Sequence, residues 1–241
     1  RTVLGGSIAA GLAVLSGGAF GLWRLLREEG YSTRVGETKE AILSDGSIVT
    51  LNTNSQVLVN YSKAARQIRL VQGEALFDVA KNRRRPFIVT AGDTQVRAVG
   101  TSFTVRILPQ QPVQVLVREG VVEIRRPGVP EAPPVRVAAN SVAIAPPQAP
   151  ISSQALPRMQ VARELAWRAG HIAFDNEPLA DAAREFARYS EVEIRVAPEL
   201  ESQTVTGLYL SNDPVGFAKA VAISLNLRVD VVGHEVRLSR Q

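Results

Sequence analysis

The sequence predicts a single N-terminal transmembrane helix, then an all-β domain, then a small α+β domain. Three observations predict this. Residues 2–23 carry no charge, short apolar-alternating segments fill residues 36–126, and helical periodicity appears only in the last third of the chain. We therefore expect four regions. They are 1–30 (transmembrane helix and its flank), 31–145 (all-β domain), 146–165 (Pro-rich linker) and 166–241 (α+β domain).

The segment between Arg1 and Arg24 has the length of a membrane span. Its 22 uncharged residues would extend about 33 Å as a helix, which matches the hydrocarbon core of a bilayer. Trp23 would end the span at the headgroup level. Because six of the 22 residues are Gly, a signal-peptide core and a buried helix stay open as alternatives. The chain begins with Arg rather than Met, so we expect a further segment upstream.

The following segment predicts a domain made only of strands. Its apolar residues are β-branched and recur at every second position, which is typical of half-buried strands. Turn-forming residues separate the strands, for example at Asp45-Gly46 and Gln72-Gly73. Such an array fits a sandwich, a roll or a solenoid-like stack. The predicted strands are 47–51, 67–71, 87–90, 95–99, 103–107, 113–117 and 121–124, with 135–139 and 141–145 expected to pair with them.

Composition changes twice after residue 126. Eight of the 14 prolines lie in residues 127–157, which predicts a linker or a sheet edge. The last third then alternates strand and helix patterns in the order β-α-β-β-α-β-β. Its predicted strands are 171–174, 192–196, 205–210, 227–232 and 235–238; its helices are 179–189 and one that Asp213-Pro214 begins.

The residue types present give little support to an enzyme. The chain has no Cys, which excludes thiol catalysis, Cys-ligated zinc and iron–sulfur clusters. Its two His residues have no partner at metal-ligand spacing, so we expect neither metal nor cofactor. The carboxylates Asp45, Glu74 and Asp78 sit beside turns, where they more often accept backbone hydrogen bonds. Residues 82–86 are the only clustered basic run, so we expect no nucleic-acid partner.

Five short motifs occur in order within 80 residues. They are Leu43-x-Asp45-Gly46-Ser47-x-Val49-x-Leu51-Asn52-x-x-Ser55, Arg69-x-x-x-Gly73-Glu74-Ala75-x-Phe77-Asp78-Val79, Arg85-Pro86-Phe87-x-Val89, Gly100-Thr101-x-Phe103-x-Val105 and Val115-x-Val117-x-Glu119-Gly120-x-Val122. The series resembles the FecR-type sigma regulators (anti-sigma factors), which are single-pass inner-membrane proteins of Gram-negative bacteria. Trp167-Arg168-x-Gly170, Phe174, Leu179 and Arg188-Tyr189 resemble that family's C-terminal part, itself similar to the short N-terminal signalling domain of secretins and TonB-dependent receptors.

The resemblance implies a signalling relay. A TonB-dependent outer-membrane receptor, loaded with a siderophore or similar ligand, would present its periplasmic signalling domain to residues 166–241. The signal would pass through the β domain and the membrane helix to a cytoplasmic segment, absent from this sequence, that holds an extracytoplasmic-function sigma factor. We expect receptor contact by strand addition at an edge of the C-terminal sheet, through Val205, Leu208, Tyr209 and Leu210. An envelope scaffolding protein and an enzyme with an unrecognised site are the alternatives.

The pair Gly100-Thr101 adds a chemical hypothesis. Some members of the family cut themselves at the matching Gly-Thr bond, where the Thr hydroxyl attacks the preceding carbonyl and water hydrolyses the resulting ester. The alternative is that Gly100 only makes a tight turn before the strand that follows. The resemblance thus implies a candidate self-cleavage site at this bond in a protein that is otherwise no enzyme.

Overall fold

A computed structural model describes residues 29–128 and 133–241. The predicted transmembrane helix falls on residues 1–28, outside the described residues, and Glu29 and Gly30 already belong to the first strand. No helix in the described part of the chain is long and apolar enough to cross a membrane.

Thirteen strands build the first lobe. All seven strands predicted between residues 47 and 124 are present, because their alternating apolar residues have one buried face. Four strands were missed. The strands at residues 29–32, 39–42 and 152–155 are mostly exposed and carry no alternation, and the strand at 56–61 has three consecutive apolar residues. The strands are β1 (Glu29–Ser32), β2 (Lys39–Ile42), β3 (Ile48–Leu51), β4 (Gln56–Tyr61), β5 (Arg66–Asp78), β6 (Phe87–Ala91), β7 (Thr94–Ala98), β8 (Ser102–Ile107), β9 (Val113–Glu119), β10 (Val121–Arg125), β11 (Val135–Ala138), β12 (Ser141–Ala145) and β13 (Ser152–Ala155).

The strands form two facing layers that enclose one apolar core. Sheet A has the order β1-β4-β5-β6-β7-β10-β11, and sheet B has the order β2-β3-β5-β8-β9-β12-β13. The lobe is therefore a sandwich, yet the strands of each sheet follow one another in chain order, as in a solenoid. In the core the Phe77 ring lies 5.8 Å from that of Phe87 and 5.5 Å from that of Phe103, centroid to centroid.

Strand β5 belongs to both sheets. Its first half pairs with β4 and β6 and its second half with β3 and β8. The Gln72-Gly73 turn predicted from the sequence is instead a bend inside this strand. Gly73 has φ +84°, and a Cβ there would lie 2.2 Å from the Ser55 hydroxyl, so only Gly allows the crossing.

The sandwich has two distinct ends. Glu29 pairs with Val59 and Tyr61 pairs with Arg66, so the start of β1 and the turn at 62–65 share one end. The backbone N–H of Arg66 donates to Pro86 O, which brings residues 80–86 to the same place. We call this the Glu29 end. The opposite Glu74 end carries the bend of β5 and the turn at residues 52–55.

Residues 146–165, predicted to be a Pro-rich linker, form regular structure. Strand β13 extends sheet B beside β12, and helix α1 (Arg158–Glu164) buries Val161 in the second lobe. Proline is tolerated here because Pro146, Pro147 and Pro150 lie in the connection between β12 and β13, outside the paired strands, and Pro157 immediately precedes a helix.

The second lobe has the predicted order β-α-β-β-α-β-β. Its two sheets are β14-β16 and β15-β18-β17, and helix α3 begins where Asp213 accepts from the Gly216 N–H at 2.8 Å. The elements are β14 (His171–Pro178), α2 (Leu179–Phe186), β15 (Glu193–Val196), β16 (Thr204–Leu210), α3 (Pro214–Leu225), β17 (Leu227–Val232) and β18 (Glu235–Arg240).

The two lobes share apolar packing. Leu76, Leu116 and Val142 point outward from sheet B, and all three are buried in the core of the second lobe rather than in the sandwich. That core is centred on Phe174, Phe186 and Phe217. The second lobe therefore covers the outer face of sheet B.

Candidate functional site: the joint between the lobes

A buried polar cluster joins the lobes at the Glu74 end. Asn52 is 0% exposed and Glu74 is 4% exposed. The Asn52 side-chain amide donates to the Glu74 carboxylate at 3.0 Å and to the Tyr189 hydroxyl at 2.8 Å. Glu74 is fixed in this position because its backbone N–H donates to Ser55 Oγ at 2.9 Å, directly after the bend at Gly73.

The second lobe contributes the residues that follow helix α2. The Arg188 guanidinium donates to the Glu74 carboxylate at 2.9 Å and also pairs with Glu185 one turn earlier. The Arg188 carbonyl accepts from the Thr53 hydroxyl at 2.8 Å. Arg188 therefore binds the turn at residues 52–55 through its backbone and Glu74 through its side chain.

Charge and burial reinforce this joint. Burial alone would lower the pKa of Arg188, but the carboxylates of Glu185 and Glu74 outweigh it and raise that pKa. Burial raises the pKa of the Tyr189 hydroxyl above its usual value. Arg188 is thus a permanent cation and Tyr189 a neutral hydroxyl, so neither changes charge over the physiological pH range.

A cavity of about 550 Å³ lies beside the joint. The turn after β8 lines one wall, and helices α1 and α2 line the other. Glu164 lies in this wall, and burial, reinforced by Glu74 and opposed by Arg106, raises the pKa of its carboxyl. Within the described residues no group of three or more His, Asp or Glu side chains is arranged to hold a metal ion.

The sequence motifs contained this joint without revealing it. The sequence places Glu74 beside a turn, whereas Asn52, Arg188 and Tyr189 enter only as residues of the family motifs. The one available signal was that these four polar residues stand inside motif segments. Asp45 and Asp78 do not join Glu74, because both lie towards the Glu29 end.

Asp45 belongs to a second buried pair. Its carboxylate lies 2.5 Å from the guanidinium of Arg66, which is 1% exposed. Ser47 and the Tyr61 hydroxyl also donate to Asp45. Burial opposes ionisation here, but these hydrogen bonds outweigh it and lower the pKa of Asp45. The expected turn hydrogen bond to the Ser47 N–H is present at 3.1 Å.

The structure divides the predicted receptor-binding residues between two faces of β16. Val205 is buried, and Tyr209 packs against Phe217 with centroids 4.8 Å apart, so these two side chains support the core. Leu208 and Leu210 are 62% and 53% exposed. Among the described strands β16 pairs only with β14, so its other edge is open.

Gly100 and Thr101 form a tight corner between sheets A and B at the Glu29 end. Gly100 has φ +148°, and a Cβ there would lie 2.5 Å from the Lys81 side chain. The Thr101 hydroxyl is buried and has no hydrogen-bond partner among the described residues. An unpartnered buried hydroxyl is costly, which sets this Thr apart from an ordinary turn residue.

Fold and joint together define a two-lobed, mostly-β protein whose sandwich holds a small α+β lobe through buried polar contacts. Residues 29–123 match the family model for FecR protein. The chain therefore carries a FecR domain, and the resemblance predicted from the motifs is confirmed there.

Two crystal structures of a proposed anti-sigma factor from Parabacteroides distasonis have a similar fold. The one at 2.50 Å resolution has a TM-score of 0.72 and 23% identity, covering 89% of this chain and 100% of that chain. The one at 1.65 Å has the same TM-score and identity, covering 88% and 99%. Among curated proteins no sequence matches this chain.

Proposed function

We propose that this chain is the sensing part of a sigma-factor regulator. The observation that carries the proposal is the FecR domain at residues 29–123. The likeness in fold to a proposed anti-sigma factor over most of both chains supports it. Such a regulator holds a sigma factor on one side of a membrane and responds to a signal on the other side.

The joint suits this role because it couples an input lobe to the sandwich. A partner that binds the second lobe acts on helix α2, whose last turn precedes Arg188. Arg188 holds Glu74 on the strand that crosses between both sheets. A shift of the second lobe would therefore be transmitted to the strand that both sheets share.

The proposal includes a location and an input. The chain would be anchored in the inner membrane by residues 2–23, with the lobes in the periplasm. The input would be the periplasmic signalling domain of a TonB-dependent outer-membrane receptor for iron-siderophore or similar uptake. That domain would add a strand to the open edge of β16, with Leu208 and Leu210 as apolar contacts.

Two measurements test this function. A reporter driven by the sigma factor's promoter should change its response to inducer when the gene is deleted or carries Glu74→Gln. Titration of the full chain with receptor signalling domains should give saturable binding to one of them. The double variant Leu208→Glu/Leu210→Glu should weaken that binding at least about tenfold, whereas Ile223→Glu, at an 84% exposed position of the same lobe, should not. An unchanged reporter would leave a scaffolding role.

A second activity, self-cleavage, is favoured by the Gly100-Thr101 corner. We propose that Thr101 Oγ1 attacks the Gly100 carbonyl carbon, so that the Gly100–Thr101 C–N bond breaks and an ester forms. The Thr101 nitrogen takes up the hydroxyl proton and becomes a free amine. Water then hydrolyses the ester, giving a Gly100 carboxylate and restoring the Thr101 hydroxyl. The buried, unpartnered hydroxyl and the φ of +148° at Gly100 support this chemistry.

A further inference from the structure

We propose that the Glu29 end of the sandwich is a docking surface for the anionic lipid headgroups of the membrane. This inference rests on the proposed function, because it assumes that residues 2–23 are anchored in that membrane. It goes further by assigning a partner to the basic residues 81–85, which the sensing role leaves unused.

The chain geometry brings this end close to the bilayer. Five residues separate Trp23 from Glu29, so Glu29 lies at most about 20 Å beyond the span even if they are fully extended. Glu29 pairs with Val59 in sheet A, and β4 ends two residues later at Tyr61. At about 3.3 Å per residue along β4 and about 4.8 Å between paired strands, the turn at 62–65 begins about 11 Å from Glu29.

Five basic side chains gather at this end, four of them exposed and one half-buried. Buried Arg66 holds their loop in place by donating to the carbonyls of Ala80 and Arg85 at 2.9 Å each. The half-buried guanidinium of Arg85 lies 5.8 Å from the Tyr61 ring centroid. The five are Lys63, Lys81, Arg83, Arg84 and Arg85.

Within the described residues, the exposed cations at this end form no ion pairs. In residues 29–128 and 133–241, no acidic side chain forms an ion pair with Lys63, Lys81, Arg83 or Arg84. The neighbouring acidic groups have other partners. Glu29 accepts from Tyr31, Asp45 binds Arg66, and Asp78 and Glu119 both bind Arg118.

Exposed apolar side chains accompany the charges. Val99 and Val121 are 36% and 41% exposed. Because Arg97 pairs with Glu123 in the antiparallel β7–β10 ladder, the two valines lie opposite each other just beyond the end of that ladder. Basic side chains beside exposed apolar ones fit the boundary between headgroups and acyl chains. The same composition also suits a polyanion such as DNA, but the short tether to residues 2–23 favours the membrane.

The test uses the full chain in lipid nanodiscs and takes advantage of its lack of Cys. A fluorescent donor is attached to Ala64→Cys, a neutral exposed position in the 62–65 turn, and the acceptor is a labelled lipid headgroup. Energy transfer is compared between discs of phosphatidylcholine alone and discs that also contain phosphatidylglycerol. The charge-reversal variant is Arg83→Glu/Arg84→Glu. The matched control, Arg168→Glu/Arg240→Glu, changes two exposed arginines of the second lobe by the same charge.

We expect stronger energy transfer in the anionic discs, a decrease at high salt, and loss of the lipid dependence in Arg83→Glu/Arg84→Glu but not in the control. Each basic residue contributes about fivefold to such binding. Equal transfer in both lipids, with the chain incorporated, would overturn the docking surface and leave the anchor intact. Failure to enter the discs would contradict the anchor of the proposed function. Duplex DNA binding that Arg83→Glu/Arg84→Glu abolishes, without lipid dependence, would assign this end to nucleic acid.

Discussion

The guanidinium of Arg188 lies 2.9 Å from the carboxylate of Glu74, 114 positions earlier in the chain. The two side chains are only 13% and 6% exposed, so their interaction is poorly screened by solvent. This contact ties the strand that links both sheets of the sandwich to the end of helix α2 in the second lobe, and mutation here should affect both stability and signalling.

Replacing Glu74 should loosen the joint. Glu74→Gln leaves Arg188 buried with only Glu185 as counter-charge, and we expect a loss of about 3 kcal/mol in the free energy of unfolding. Chemical denaturation measures this loss. Glu123→Gln, which breaks the exposed pair with Arg97, is the control and should cost less than about 1 kcal/mol. Similar losses for the two variants would show that the joint is not a strong contact.

Gly73 should tolerate no side chain. In Gly73→Ala the new Cβ would meet Ser55 Oγ at 2.2 Å and the φ of +84° would be strained, so we expect a loss of about 3 kcal/mol or more. Gly46→Ala separates the two effects, because Gly46 has φ +81° but nothing within 4 Å. That variant should lose only about 1–2 kcal/mol. Equal losses in thermal unfolding would mean that the contact with Ser55 is unimportant.

Asp45 should make stability fall in acid. Its pKa is lowered in the folded state, so its contribution is present above the ordinary value of 3.8 and is lost as the pH falls through the lower folded value. Asp45→Asn leaves Arg66 without a counter-ion and should cost about 3–5 kcal/mol at neutral pH. The difference from wild type should narrow below pH 3.8. A pH-independent difference in urea unfolding would contradict this assignment.

Glu164 should make stability rise as the pH falls. Its pKa is raised in the folded state, so stability is gained as the pH falls through the folded pKa towards the ordinary value of 4.5. Glu164→Gln removes a half-buried charge and should stabilise the protein at neutral pH by about 0.5–2 kcal/mol, with the gain disappearing below pH 4.5. Exposed Glu199→Gln, the control, should stay within about 0.5 kcal/mol of wild type. Destabilisation by Glu164→Gln at neutral pH would refute the prediction.

Self-cleavage should depend on the Thr101 hydroxyl. Thr101→Ala should remain full-length, whereas Thr101→Ser keeps a hydroxyl and should still cut, and wild type should yield fragments ending at Gly100 and beginning at Thr101. Mass spectrometry after long incubation identifies these ends. Cleavage in Thr101→Ala, or an intact wild-type chain, would exclude the mechanism.

The local elements could be predicted from the sequence alone. Strands β6 to β10 and helix α2 each bury one face. Burial of one face produces a regular spacing of apolar residues, which can be read from consecutive positions in the sequence. The Asp213 cap was likewise predictable, because donor and acceptor are three residues apart. The motif series was sufficient to identify the FecR domain.

How distant segments meet depends on packing that no local pattern encodes. The bend of β5 at Gly73 depends on contact with Ser55, and the Arg188–Glu74 pair depends on where the second lobe rests on sheet B. The inward position of Tyr209 depends on its contact with Phe217. These outcomes are set by packing between elements far apart in sequence, and local periodicity carries no information about which of many buried faces will be neighbours.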